Sequence, residues 1–158
     1  MKSRSRFLAT SLIVLLSIGV FAVAGFLQAA ESDQGNKEGQ KAIMEGAKKM
    51  MDGNKMIMDL MTKKGMKDAE MTAAEKKMTD GYDMITKGES MMTGSTMTEG
   101  QAMVKNGSKM MLDAHKEISA AVDKKGMTQQ CASYLSECTN GEHQINYGLQ
   151  GSMHGGAQ

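Results

Sequence analysis

Along three stretches of this chain a small residue alternates with a larger apolar one at steps of four and three. The first reads Gly39, Ile43, Gly46, Met50, Gly53, Ile57, Leu60; the second Met71, Ala74, Met78, Gly81, Ile85, Gly88, Met92. The third reads Met97, Gly100, Val104, Gly107, Met111, Ala114, Ile118, Ala121. A mean repeat of 3.5 residues is the pattern of helices packed side by side, whereas strands repeat every two. The glycines lie in phase with the apolar side chains, so they belong to the packed face and are not random breakers.

Each glycine inside a helix costs about 1 kcal/mol relative to alanine. Seven seam glycines are therefore a heavy penalty against a typical total stability of about 5–15 kcal/mol. The pattern makes sense if small residues let helix backbones approach closely while larger side chains fill the remaining space. That logic is familiar from membrane helices, but these segments carry too much charge to lie in lipid. The competing expectation is partial disorder until a partner or metal arrives, because aliphatic content is low.

Helix ends can be placed from the punctuation. Lys63-Lys64-Gly65-Met66 and Lys124-Lys125-Gly126-Met127 set two cations and a glycine where a helix should stop. Thr72-x-x-Glu75 and Thr96-x-x-Glu99 read as capping boxes, and Asn36 as a first N-cap. Thr93-Gly94-Ser95 makes a short turn. These signals predict long helices near 37–64, 73–92 and 97–125, then a shorter one near 129–139 ending at Asn140-Gly141. The expected fold is all-α: an antiparallel bundle of three long helices and a shorter fourth, with Gly/Met heptad seams. Residues 148–158 form a Gly-rich tail expected to be disordered.

Residues 1–30 read as a targeting segment. Lys2, Arg4 and Arg6 precede an apolar run over 7–27, and Ala22-Val23-Ala24 offers a small-residue cleavage signal. The run is also long enough to span a bilayer uncleaved. A cleaved signal predicts a periplasmic or secreted protein. A retained anchor predicts a domain tethered to the membrane but outside the cytoplasm. From Glu31 onward 16 Lys stand against 18 Asp and Glu, a net charge of −2. Evenly mixed charge of this kind leaves no electrostatic footprint for nucleic acid.

Methionine supplies the bulk of the remaining hydrophobic side chains: 19 of 158 residues. Beyond Ala30 there are only eleven Ile, Leu and Val, three Tyr, and no Phe, Trp or Pro. Met is ordinarily the flexible gap-filler of a core, so either it is the core here or the thioethers serve soft-metal or redox chemistry. Met50, Met71, Met78, Met92, Met97 and Met111 fall on the seams and read as core. Met44, Met51 and Met58 recur every seven residues, roughly 120° from the first seam. They predict either an exposed thioether face or a second packing surface.

Thioethers are soft donors suited to Cu(I) and Ag(I). The pairs Met50-Met51, Met91-Met92, Met110-Met111 and Met56-x-Met58 give residues 44–127 a composition that resembles the Met-rich copper-handling proteins of the bacterial periplasm. That resemblance implies a non-enzymatic protein that buffers, stores or transfers copper. Ligands on one helix face stand three or four residues apart, which selects Met58/Met61, Met111/His115 and Met127/Cys131. With Met44, Met51 and Cys138 these are the candidate metal ligands. Cys131 and Cys138, an even count in an exported chain, also predict an intramolecular disulfide. It requires a kink or helix end between them, because a straight helix holds residues seven apart beyond disulfide reach.

Enzyme signatures are absent: no phosphate loop, no His-Glu-x-x-His and no Cys-x-x-Cys occurs. Three functions remain. The first is soft-metal binding. The second is a helical scaffold whose Met surface grips partner helices or a second copy of the chain. The third is an oxidant sink cycling through Met sulfoxide.

Overall fold

A computed structural model of the protein describes residues 37–154, with side-chain exposure over 37–151. The predicted Asn36 cap and the apolar run over 7–27 lie outside the described residues. Four helices follow one another: α1 over 37–63, α2 (Ala69–Ser90), α3 (Met97–Lys124) and α4 (Ala132–His154), with a 3-10 turn at Gly94–Thr96 between α2 and α3. No strand occurs among the described residues.

The ends of α1 and α3 are built alike. Gly65 and Gly126 sit at φ of 66° and 67°, the left-handed region where only glycine is unstrained. Gly65 N–H donates to Thr62 O and Met66 N–H to Met61 O; Gly126 N–H donates to Asp123 O and Met127 N–H to Val122 O. This pair of bonds is the Schellman stop. The Lys-Lys-Gly-Met runs therefore end both helices where the sequence predicts.

The start of α2 and the capping at both helices are corrected, while α3 begins at Met97 as the sequence predicts. The side chain that caps α2 is Asp68, which accepts from Met71 N–H at 2.9 Å, and Thr72 lies within the first turn, bonding back to Asp68 O. At α3 the Thr96 hydroxyl makes no cap bond; it turns back to Met91 O and Thr93 O. A hydroxyl beside a free carbonyl has this alternative to the N-terminal amides. α4 is corrected most. It does not end at Asn140-Gly141 but runs 23 residues, as long as the 22-residue α2, and carries helix through Gly148. Residues 155–158 lie outside the described residues.

The glycines explain why α4 continues. A Cβ on Gly46 would stand 2.5 Å from Gly141 O, and one on Gly148 would meet Gly39 O. On the other side a Cβ on Gly107 would lie 2.5 Å from Gly81 O, and one on Gly100 2.5 Å from Gly88 O. So α1 packs antiparallel on α4 and α2 on α3, each pair at backbone contact and in seven-residue steps. Gly141 and Gly148 are interface residues, not stops. Met fills the space beside them: Met50 Cγ lies against Gly141, and Met111 Cγ against Gly81.

An internal repeat underlies the two pairs. Residues 39–66 match 100–127 without a gap: Gly39-Gln40 with Gly100-Gln101, Gly46 with Gly107, Met50 with Met111, Ile57 with Ile118. Residues 71–92 match 131–152, with Gly81, Ile85 and Gly88 on Gly141, Ile145 and Gly148, and Met71 and Met78 on Cys131 and Cys138. The chain is thus two α-hairpins, and each close pair joins a helix of one to a helix of the other. Both hairpin turns lie at one end, where Lys125 Nζ donates to Asp68 Oδ2. That bond, with the Met71 amide, holds the Asp68 carboxyl below its ordinary pKa. The 91–96 connection lies at the opposite end. One core cluster runs through both pairs and includes Met50, Ile57, Met78, Ile85, Met111, Ile118 and Ile145.

Alanine at a contact glycine gains about 1 kcal/mol of helix propensity but pushes a methyl into a facing backbone carbonyl. Overpacking of this kind costs about 1–3 kcal/mol, and backbone yields less readily than a side chain. Gly46→Ala and Gly107→Ala should each lower the unfolding free energy by a net of about 1–2 kcal/mol, read as a lower chemical denaturation midpoint. An unchanged or higher midpoint in either would contradict the backbone-contact packing.

Candidate functional site

The structure places most of the predicted metal ligands inside the core. Met58, Met61, Met111 and Met127 are buried, as are Cys131 and Cys138. Met44 and Met51 are half-buried and packed against the core. The Met44/Met51/Met58 stripe is therefore a second packing surface, not an exposed thioether face. The pair Met111/His115 diverges: Met111 reaches toward Gly81 of α2, while His115 Nε2 points to Glu142 Oε2 of α4 at 3.8 Å. Large hydrophobic side chains remain exposed at only a few scattered positions among the described residues, Met56, Met66, Met97 and Tyr147.

The expected disulfide is not formed; both cysteines are free. No kink separates them. Cys131 enters the helical bonding directly, its carbonyl accepting from Leu135 N–H at 2.9 Å, and α4 continues unbroken past Cys138. Seven residues of helix span about 10 Å, beyond the Cα separation of about 7 Å that a disulfide tolerates. The thiols serve as small apolar side chains at positions where the first hairpin has Met. Cys138 packs on Gly53 and donates weakly to Met50 O at 3.6 Å. Burial pushes its thiol up to about 12, and it raises that of Cys131 as well.

A few polar groups share the interior. His115 is 5% exposed, Asn54 2% and Ser108 fully buried, and Asn54 stands at the position in the repeat that His115 occupies in the second hairpin. The Asn54 Oδ1 and Ser108 Oγ atoms have no hydrogen-bond partner, a local cost of about 1–3 kcal/mol each. Burial holds the His115 imidazole below its ordinary 6.5, with Glu142 partly opposing.

Among the described residues no group of three or more His, Cys, Asp or Glu is placed to hold a metal. Met44, Met92 and Glu89 come together elsewhere, around a shallow cleft at the end of the bundle opposite the hairpin turns. Gln40, Ile43 and Met44 of α1, Ile85 and Glu89 of α2, Met92 just beyond it, and Val104 of α3 line this narrow, partly open cleft. Gln40 Nε2 donates to Met92 Sδ at 2.9 Å, which directs a thioether lone pair toward the amide. Burial raises the Glu89 carboxyl above its ordinary value. Met44 is the one predicted ligand in this cleft. In the sequence Met92 reads as seam, and Glu89 and Gln40 carry no marker beyond helical spacing, Glu89 three residues before Met92 and Gln40 four before Met44.

No helix among the described residues is long and apolar enough to cross a membrane. No known protein family, characterised protein or solved structure matches the chain.

Two outcomes follow from the buried groups. At pH 8 neither cysteine should react with iodoacetamide in the native protein, and both should react in denaturant; native labelling of Cys138 would contradict its burial. Because the folded His115 pKa is depressed, the unfolded chain takes up this proton first as pH falls. The stability contribution is present above 6.5 and is lost progressively as pH falls from there toward the folded pKa. Replacing His115 with Asn, the residue of the matching position, should flatten the stability–pH slope between pH 7 and 5. An unchanged slope would show that His115 is not its source.

Proposed function

We propose that the protein is a non-enzymatic, exported Met-rich bundle that buffers Cu(I) or Ag(I) at the cleft between Gln40, Met44, Glu89 and Met92. One observation carries this reading: Met44, Glu89 and Met92 are gathered from two helices around the same shallow cleft. Thioethers select soft cations over the hard ones that carboxylates alone would take. A single carboxylate balances the charge of a monovalent ion where the surroundings are partly desolvated. The buried methionines, among them Met50, Met61, Met71, Met78 and Met111, act as core, in what we read as heptad seams of alternating glycine and methionine.

The internal repeat supports the assignment. At the matching positions of the second hairpin, Gln101, Val104 and Ile145 preserve the amide and apolar lining, in the places of Gln40, Ile43 and Ile85. The three donors are changed together: Met44 to Lys105, Glu89 to Leu149 and Met92 to Ser152. The groups that would touch a cation are among the positions at which the two hairpins differ. Export is proposed from the basic and apolar N-terminal sequence. Scattered exposure of Met56, Met66 and Met97 offers little continuous apolar surface for gripping partner helices.

Cu(I) titration of the mature domain against a competing chelator tests the reading. One ion should bind, and Met44→Leu with Met92→Leu should abolish binding while preserving apolar volume. Glu89→Gln should weaken it about tenfold, the order of one partly screened unit charge. Cys138→Ala and Met61→Leu should leave binding intact. Failure of the wild type to bind, or binding indifferent to the Met44 and Met92 changes, would refute the proposal.

A further inference from the structure

The repeat gives the outer surface of the bundle an internal comparison. On the side of α2 away from the core, Lys76, Asp80, Asp83 and Lys87 follow one another at helical spacing, and Lys76 pairs with Asp80. The matching positions of α4 are Ser136, Asn140, His143 and Tyr147. Every Lys and Asp of the stripe is replaced, and all four residues that take their places are exposed. Helix geometry sets them on the side opposite Cys138, Gly141, Ile145 and Gly148, which α4 buries against α1. Along its 23 residues α4 carries only two acidic residues, Glu137 and Glu142, and no Lys or Arg, whereas the 22 residues of α2 include eight charges.

We propose that this outer face of α4 is a contact surface for a second copy of the chain, the two α4 helices lying antiparallel. Charged groups are costly to desolvate at the centre of a contact, and such centres are depleted of Lys, Asp and Glu and enriched in Tyr. Tyr147 is 66% exposed, more than any other large hydrophobic side chain among the described residues. No residue of the cleft lies on α4, so the contact is independent of metal.

The order of side-chain sizes along the stripe selects the occupant. Its first half is small, Ser133 and Ser136, and its second half large, His143 and Tyr147, with Asn140 between them. A two-fold axis through the middle of the stripe sets Tyr147 over Ser136 of the partner subunit. It also brings Asn140 beside His143 of the partner subunit, where an amide and an imidazole are matched in hydrogen-bonding groups. Large therefore meets small at both ends, the self-complementarity that an isologous contact demands. A parallel pairing would instead stack Tyr147 on its own copy and leave the serines facing one another. With no Lys, Asp or Glu, the stripe also offers nothing to a partner of opposite charge. From Ser133 to Tyr147 the face runs about 21 Å. One helix face of that length buries less than the roughly 800 Å² per partner of a standard interface, so the dimer forms as concentration rises.

Sedimentation equilibrium of the mature chain tests the proposal. The dimer fraction should rise with concentration, and a monomer at every concentration up to the solubility limit would overturn it. Tyr147→Lys, the residue of the matching α2 position, should raise the dissociation constant at least about tenfold, the scale of a lost anchor. Asn140→Lys should act in the same direction, and Met56→Lys on α1 should change nothing. Because these positions are exposed, helix content by circular dichroism should stay at the wild-type level. A dimer that survives both α4 changes would place the contact elsewhere and overturn the proposal. Nitroxide labels read the orientation, since the native thiols are buried. Labels on Ser133→Cys should lie farther apart across the dimer than labels on Thr139→Cys, by about 18 Å for antiparallel helices. Equal separations would mean parallel helices and refute the self-complementary pairing.

Discussion

The approach of two helix backbones at glycine is the constraint from which the rest of this structure follows. At Gly46 and Gly141, and again at Gly81 and Gly107, a methyl group would overlap a facing carbonyl oxygen. Each such glycine costs about 1 kcal/mol in helix propensity. What offsets it is dispersion between backbones and Cα–H···O approaches, worth about 0.5–1 kcal/mol each. Tight spacing also decides which side chains fit beside the contact. Branched residues are stiff at χ1, whereas Met bends into irregular space. Met50 over Gly141 and Met111 over Gly81 are the result. The abundance of methionine is thus in large part a packing consequence of the abundance of glycine.

The same spacing governs the cysteines. Cys131 and Cys138 replace Met71 and Met78 of the first hairpin, and Cys138 faces Gly53 where a larger residue has little room. A thiol in that place behaves as a small apolar group. Its proton is held by burial, which makes it a poor nucleophile and, without reorganisation, a poor ligand.

Repetition gives the molecule its second organising feature. Two hairpins of matching pattern share the work of the core, with Ile57 and Ile118, Ile85 and Ile145, Met50 and Met111 in matching places. Their differences are therefore informative. His115 stands for Asn54 in the interior, and the donors of the open-end cleft appear in the first hairpin only. A duplicated unit can keep one copy structural while the other acquires a binding surface, because the interfaces between them depend on the glycine and apolar positions that both retain.

By itself the sequence determined the helical class, the buried face of α2 and the ends of α1 and α3, since period and the Lys-Lys-Gly-Met stops are local properties of the chain; Met97, which reads as seam core, is exposed. The burial of Met71, Ala74, Met78, Gly81, Ile85 and Gly88 on α2 was legible at that level. Only tertiary structure decided the extent of α4, because Gly141 reads as a stop until Gly46 is seen against it. Partners decided the caps as well: Asp68 is held between the Met71 amide and Lys125 from the other hairpin turn, a pairing no local motif reveals. The site was the least legible part. Helical spacing along one segment could nominate Met44, but Glu89 and Met92 join it from another helix, Met92 from 48 residues away. Which sulfurs face a cleft and which face a core depends on how helices are set against one another. That setting comes from contacts between hairpins, and a single helix does not carry it.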